Sequence, residues 1–292
     1  MFKPSYIEPV FRPPSEWRSL ILQVTNGCSY NRCTFCDMYT APQKRFRAKK
    51  LAEIESELQQ LAGGPWDRVF LADGDAMMLP GHRLLAICER IRHYLPQVRR
   101  ISSYCLPRNL GNKDDATLAQ LAELGLTLAY VGCESGDDEV LAGINKGETY
   151  ASSERALLRL GQAGIKRSVM ILNGMGGRER SAQHARHSAA LMNATQPEYL
   201  STLVVSFPFG MERVKAGFGG HFTPLDVPAL MAEQQQLLAA LNLQRTVFRS
   251  DHASNYLLLK GVLGKDKERL LEQLKAARQG LVPLRQEWQR GL

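Results

Sequence analysis

Short apolar runs rich in branched and aromatic residues recur along the first two thirds of the chain, at residues 20–25, 68–72, 100–104, 127–131, 167–172 and 199–206. Each reads as a buried strand. The segments between them change period. Leu51, Ile54, Leu58 and Leu61 repeat at three and four residues, as do Leu84, Ile87 and Ile91, then Leu118, Leu121 and Leu124, and then Leu157, Leu158 and Leu160. That spacing puts one apolar stripe on each of four amphipathic helices. Strands and helices alternating at roughly thirty-residue intervals predict a parallel sheet with right-handed crossovers. Six such units fit before residue 206, so the expected fold class is α/β, a partial (β/α)6 TIM-like barrel.

After Phe207 the pattern differs. Gly210, Gly217, Gly219 and Gly220 form a glycine-rich stretch, helical patterns follow at 227–241 and 265–278, and a short apolar run lies at 256–259. This part reads as an α-rich C-terminal cover over residues 207–292. The barrel takes residues 19–206, and residues 1–18 form an N-terminal arm. Most predicted strands end in a small, glycine-bearing turn: 25–27, 73–75, 132–136 and 173–177. The C-terminal strand ends form the binding edge of a parallel α/β sheet, so these turns are expected to converge on one site.

The 292 residues are 44% apolar and 23% charged, an ordinary globular balance that argues against long disorder or a coiled-coil array. No apolar run reaches the roughly 20 residues of a membrane helix. The Pro-rich start has no signal-peptide core, which predicts a cytoplasmic protein without membrane attachment. Six cysteines sharpen this picture. Cys28, Cys33 and Cys36 sit on one short segment, whereas Cys88, Cys105 and Cys133 stand singly. In a reducing compartment such a group points to a metal or redox site rather than to disulfides. Soft thiolates favour an iron–sulfur cluster, zinc or copper(I), and a structural zinc would want a fourth Cys or His nearby. The first histidine is His82. Three ligands suit a [4Fe–4S] cubane with one iron left open.

The segment from Thr25 to Tyr39 resembles the cluster motif of the radical S-adenosylmethionine (radical SAM) superfamily, in which an aromatic residue precedes the last of three cysteines. The spacing departs by one residue between Cys28 and Cys33, while Cys33, Thr34, Phe35 and Cys36 keep the second half. Asp73, Gly74 and Asp75 are similar to the family's Gly-Gly-Glu turn. Glu134, Ser135 and Gly136, followed by Asn145, Lys146 and Gly147, are very like the Glu-Ser-Gly and Asn-Lys-Gly stretch of one branch, which includes proteins like oxygen-independent coproporphyrinogen oxidase. Asn173 and Gly174 open a turn like the one against adenine.

The resemblance implies that Cys28, Cys33 and Cys36 hold the cluster. It implies that Phe35, Asp73, Gly74, Asp75, Glu134, Ser135, Lys146, Asn173 and Gly174 approach S-adenosylmethionine, with Asp75 facing its amino group and Lys146 its carboxylate. It implies reductive cleavage of the cofactor to a 5′-deoxyadenosyl radical, which abstracts hydrogen from a small-molecule substrate, with electrons from a flavodoxin or ferredoxin. The short arm argues against a cobalamin domain, and the scattered cysteines against a second cluster.

Several features carry plainer readings. Asp73 and Asp75 can simply cap the next helix, and Cys88 can fill core. Cys105 and Cys133 fall just past strands, near the expected mouth. Lys44, Arg45, Arg47, Lys49 and Lys50 form a basic run in a chain of net charge +8. It reads first as a solvated face and then as a receiver of an anionic substrate or an acidic electron donor; nucleic acid is the weaker reading, because no appended RNA-binding domain supports it. Arg249, Asp251 and His252 are candidates to line a substrate. Two rival functions use the same residues: a non-catalytic iron–sulfur or haem-handling carrier, and a zinc-stabilised barrel binding a phosphorylated metabolite.

Overall fold

The computed structural model describes residues 4–290, so the first three residues of the expected arm and the last two of the expected cover lie outside the described residues. The chain divides into two compact units. One takes the chain up to Asn31, Cys36–Val131 and Leu158–Arg167; the other takes Arg32–Phe35, Gly132–Leu157 and the chain from Ser168 onward.

In the first unit, strands β1 (Leu20–Gln23), β2 (Arg68–Ala72), β3 (Arg100–Cys105) and β4 (Leu126–Glu134, its residues from Gly132 on belonging to the second unit) pair in parallel in sequence order. Helices α1 (Leu51–Leu61), α2 (Gly81–Tyr94) and α3 (Asp115–Glu123) make the crossovers. The expected stripes are what they bury: Ile54, Leu58 and Leu61 on α1, Leu84, Ile87 and Ile91 on α2, Leu118 and Leu121 on α3. Asp114 caps α3 by accepting the Thr117 N–H. The arm lies on one sheet face, where Tyr6 and Val10 pack on Ile21, Phe70 and Ala72.

The second unit carries α4 (Asp138–Gly143), strand β5 (Lys166–Asn173), whose pairing residues begin at Ser168, α6 (Gly177–Thr195) and β6 (Tyr199–Val204). Between α4 and β5 the chain forms α5 (Tyr150–Gln162). The six expected strands are all present, and the fold is α/β, mostly parallel and of partial-barrel type. After α7 (Glu212–Gly217) and α8 (Val227–Ala240), the tail adds two strands, β7 (Val247–Ser250) parallel to β6 and β8 (Leu259–Val262) antiparallel to β7, before α9 (Lys267–Arg278). The apolar run at 256–259 thus enters a strand only at its last residue. Tyr256 sits under the Arg290 guanidinium, 3.7 Å from the ring centroid, and leaves pairing to the residues after it. No helix among the described residues is long and apolar enough to cross a membrane.

Candidate active site

In the first unit, β1 hands the chain to the cysteine loop through Gly27. Its φ of 71° is in the left-handed region, and a Cβ there would collide with the Lys44 carbonyl. Gly74, at φ 62°, leans on the Gly27 carbonyl in the same way. These two glycines in backbone contact put the 73–75 turn beside the start of the loop. Asp75 bridges the contact: Ser29 N–H donates to Oδ1 at 2.9 Å, Ser29 Oγ donates to Oδ2, and Asn109 Nδ2 donates to Oδ2 at 3.2 Å. Burial nonetheless pushes the Asp75 carboxyl above the usual carboxylate range. Its side chain makes no cap on the following turn, contrary to the plainer reading.

Asp73 is fully buried and closed off. Lys44 Nζ pairs with Oδ2, and Tyr39 Oη donates to Oδ1 at 2.8 Å. Lys44 therefore departs from the solvated face expected for the basic run; it is itself fully buried, because the ribbon of Thr25–Asn26 and Arg47–Ala48 folds it inward over Asp73. Cys28 and Cys36 are half-buried thiols outside any disulfide. Burial, then the nearby Asp75 carboxylate, pushes the Cys28 thiol up.

In the second unit, Cys33 is also half-buried and outside any disulfide. Arg213 of α7 holds its backbone, donating to the Cys33 carbonyl at 3.0 Å and to the Thr34 carbonyl at 2.8 Å. Phe35 packs on a core cluster that includes Val140, Ile144 and Phe218. Among the described residues no three His, Cys, Asp or Glu side chains stand together as a metal-holding group.

Glu134 ends β4 with φ 65°, a conformation that costs a non-glycine residue about 1–2 kcal/mol. Lys146 Nζ lies 2.9 Å from its Oε1, and both side chains are about 95% buried. Burial opposes the Lys146 charge, but Glu134 and then Cys33 outweigh it and raise its pKa. Glu134 Oε2 is buried and has no hydrogen-bond partner. Ser135 is occupied by its own surroundings. His184 Nε2 faces the Leu172 carbonyl at 3.0 Å and must donate there, which leaves Nδ1 to accept from Ser135 Oγ at 2.8 Å. The Asp137 N–H donates to the same hydroxyl at 3.0 Å. Asn173 Nδ2 donates to the Leu230 carbonyl at 3.3 Å, and the Gly174 N–H donates to Glu233 Oε1 at 2.6 Å.

Cys88 and Cys133 are fully buried thiols pushed up to about 12 by burial, and Cys105 is 2% exposed. All three pack as core. Of the remaining candidates, Asp251 pairs with Lys260 at 3.0 Å, His252 turns back onto Ser254 at 3.0 Å, and Arg249 is exposed on β7. Residues the sequence left unmarked include Ser29, Asn109, His184 and Glu233. Glu233 alone left a signal: it stands three residues after Leu230 and four before Leu237, a charge inside an apolar stripe.

The Radical SAM superfamily matches residues 22–191. No curated protein matches the chain. Among solved structures, the radical SAM methyltransferase TsrM from Kitasatospora setae, bound to tryptophan substrate and a SAM analogue, is 26% identical over 66% of this chain, with a TM-score of 0.53. The match spans 38% of TsrM's own length. Methylornithine synthase (PylB) aligns over 91% of this chain and 82% of its own at 16% identity and TM-score 0.51. Coproporphyrinogen III oxidase (HemN) from Escherichia coli aligns over 76% and 51% at 13% identity and TM-score 0.55. The last two show likeness of fold. With the superfamily match covering more than half of the chain and this fold beneath it, the chain belongs to the radical SAM superfamily.

Proposed function

We propose that the chain cleaves S-adenosylmethionine reductively and directs hydrogen abstraction at a small-molecule substrate, with Cys28, Cys33 and Cys36 as the three cluster ligands. The observation that carries this reading is the donor set: three half-buried thiols outside any disulfide on one short segment, together with a buried Glu134 Oε2 that has no hydrogen-bond partner. A buried carboxylate oxygen without a donor is costly unless a ligand supplies one, so Glu134 fits a cofactor that carries hydroxyl and amino donors. Bound together, the cluster and S-adenosylmethionine supply a 5′-deoxyadenosyl radical. The protein's own work is positioning. Asp75, held by Ser29 and Asn109, offers a carboxylate to a cationic amino group. Lys146 offers charge to a carboxylate, Phe35 an apolar wall behind the cluster loop, and Asn173 and Gly174 a polar backbone turn. Asp73 and Ser135 act one step back, since Lys44 and Tyr39 occupy the first and His184 the second. A net charge of +8 favours an acidic electron donor such as flavodoxin or ferredoxin.

Anaerobic reconstitution with iron and sulfide tests this. The expected product is a brown protein absorbing broadly near about 400 nm that forms 5′-deoxyadenosine when reduced in the presence of S-adenosylmethionine. Cys33→Ala is expected to lose the absorbance, and Cys88→Ala to keep it. A cluster-loaded protein that makes no 5′-deoxyadenosine would leave the carrier reading, and a colourless zinc-loaded protein the zinc-barrel reading.

A further inference from the structure

The basic run that the reaction leaves unused borders a cavity of about 320 Å³ in the first unit. That volume is in the range of small-ligand sites. Thr25, Asn26, Arg47, Lys49, Lys50 and Glu53 are among its walls. Arg47 and Lys50 are exposed and form no ion pair among the described residues, whereas Lys49 is paired with Glu57 at 2.6 Å. The 11-residue helix α1 opens on Lys50, whose side chain does not cap it, so the positive end of the helix dipole meets the same wall.

Asn26 supplies the independent sign of a ligand. It is 3% exposed, and its Nδ2 donates to two carbonyls, those of Gln43 at 2.7 Å and Arg45 at 3.0 Å. Two carbonyl partners require the nitrogen on that side, so the amide orientation is determined. Its Oδ1 is then left buried without a hydrogen-bond partner, on a residue that lines the cavity. The wall therefore asks for two things of one molecule: negative charge for Arg47, Lys50 and the helix end, and an O–H or N–H donor for Asn26 Oδ1.

We propose that this cavity binds a phosphate group, as the anchoring end of a small phosphorylated substrate. Near neutral pH an inorganic phosphate or a singly protonated phosphomonoester carries both charged oxygens and a P–O–H donor. Sulfate carries the charge without the donor. The phosphate site stands on the cavity alone; its role as a substrate anchor rests on the radical SAM reading above.

Calorimetric titration of the reconstituted full-length protein with inorganic phosphate, and separately with sulfate at matched ionic strength, tests the site. Phosphate is expected to bind about tenfold more tightly than sulfate, the worth of one charge-assisted hydrogen bond. The double variant Arg47→Gln/Lys50→Gln is expected to weaken phosphate binding by about tenfold or more, while Lys260→Gln, at an exposed cation of the second unit, leaves it unchanged. Arg47→Lys retains the charge and is expected to retain most of the affinity, which separates lost charge from lost folding. Absence of phosphate binding, equal binding of sulfate, or an unaltered double variant would overturn the proposal. The same samples are assayed for cluster absorbance and 5′-deoxyadenosine. Phosphate binding without either product would remove the substrate role and leave the site; both products without phosphate binding would remove the site and leave the radical chemistry.

Discussion

Glu134 combines two costs at one residue, a left-handed backbone and a buried carboxylate satisfied on one oxygen only. Its pairing with Lys146 at 2.9 Å is what makes both charges tolerable inside the second unit. Breaking a buried pair from one side leaves the other charge stranded, which costs more than the pair is worth. Glu134→Gln is therefore expected to destabilise the protein by about 3 kcal/mol, measured as a shift in the urea midpoint. Glu134→Gln/Lys146→Met removes the stranded charge and is expected to recover a large part of that loss. Equal losses in the single and double variants would show that the two side chains do not depend on each other. Lys146 is legible as a candidate because a motif surrounds it. Lys44 is not: nothing local in a run of basic residues distinguishes the one that closes over Asp73, a partner 29 positions away.

At the scale of elements, the sheet presents its loops through glycines whose conformations are set by close backbone approach. Gly74 and Gly63 both have positive φ, yet only Gly74 has backbone against the position of a Cβ, while Gly63 faces open space. Gly63→Ala is expected to cost about 1 kcal/mol, the price of a left-handed alanine. Gly74→Ala adds overpacking against Gly27 of roughly 1–3 kcal/mol more and is expected to lower the iron bound after reconstitution. Thermal melts and iron analysis of the two variants check this, and equal effects would remove the contact from the account of the loop. Helix α8 makes the complementary point. Its Glu233 takes Gly174 N–H on one oxygen and Ser181 Oγ at 2.6 Å on the other, so a tail helix disciplines the turn at the end of β5. The periodicity predicts that helix closely; it does not predict the helix's partner.

For the molecule as a whole, a cofactor that binds only the folded chain must stabilise it. At a ligand concentration 100 times its dissociation constant the gain is about 2.7 kcal/mol. Reconstituted protein is accordingly expected to melt several degrees higher in saturating S-adenosylmethionine, and Asp75→Asn to lose most of that increment while keeping the cofactor-free melting temperature. An increment unchanged in the variant would take Asp75 out of the cofactor site. The succession of strands and helices, the glycine turns at strand ends and the trio of thiols were determined by the sequence alone, because burial periodicity, turn chemistry and ligand spacing are local properties of the chain. The tertiary structure decided which polar groups are spent on the protein and which are left for a ligand: Asp73 closed by Lys44 and Tyr39, Ser135 by His184, but Glu134 Oε2 and Asn26 Oδ1 left without donors. Those pairings join residues far apart in sequence, and whether a buried polar atom finds its partner depends on distances that only the folded chain sets.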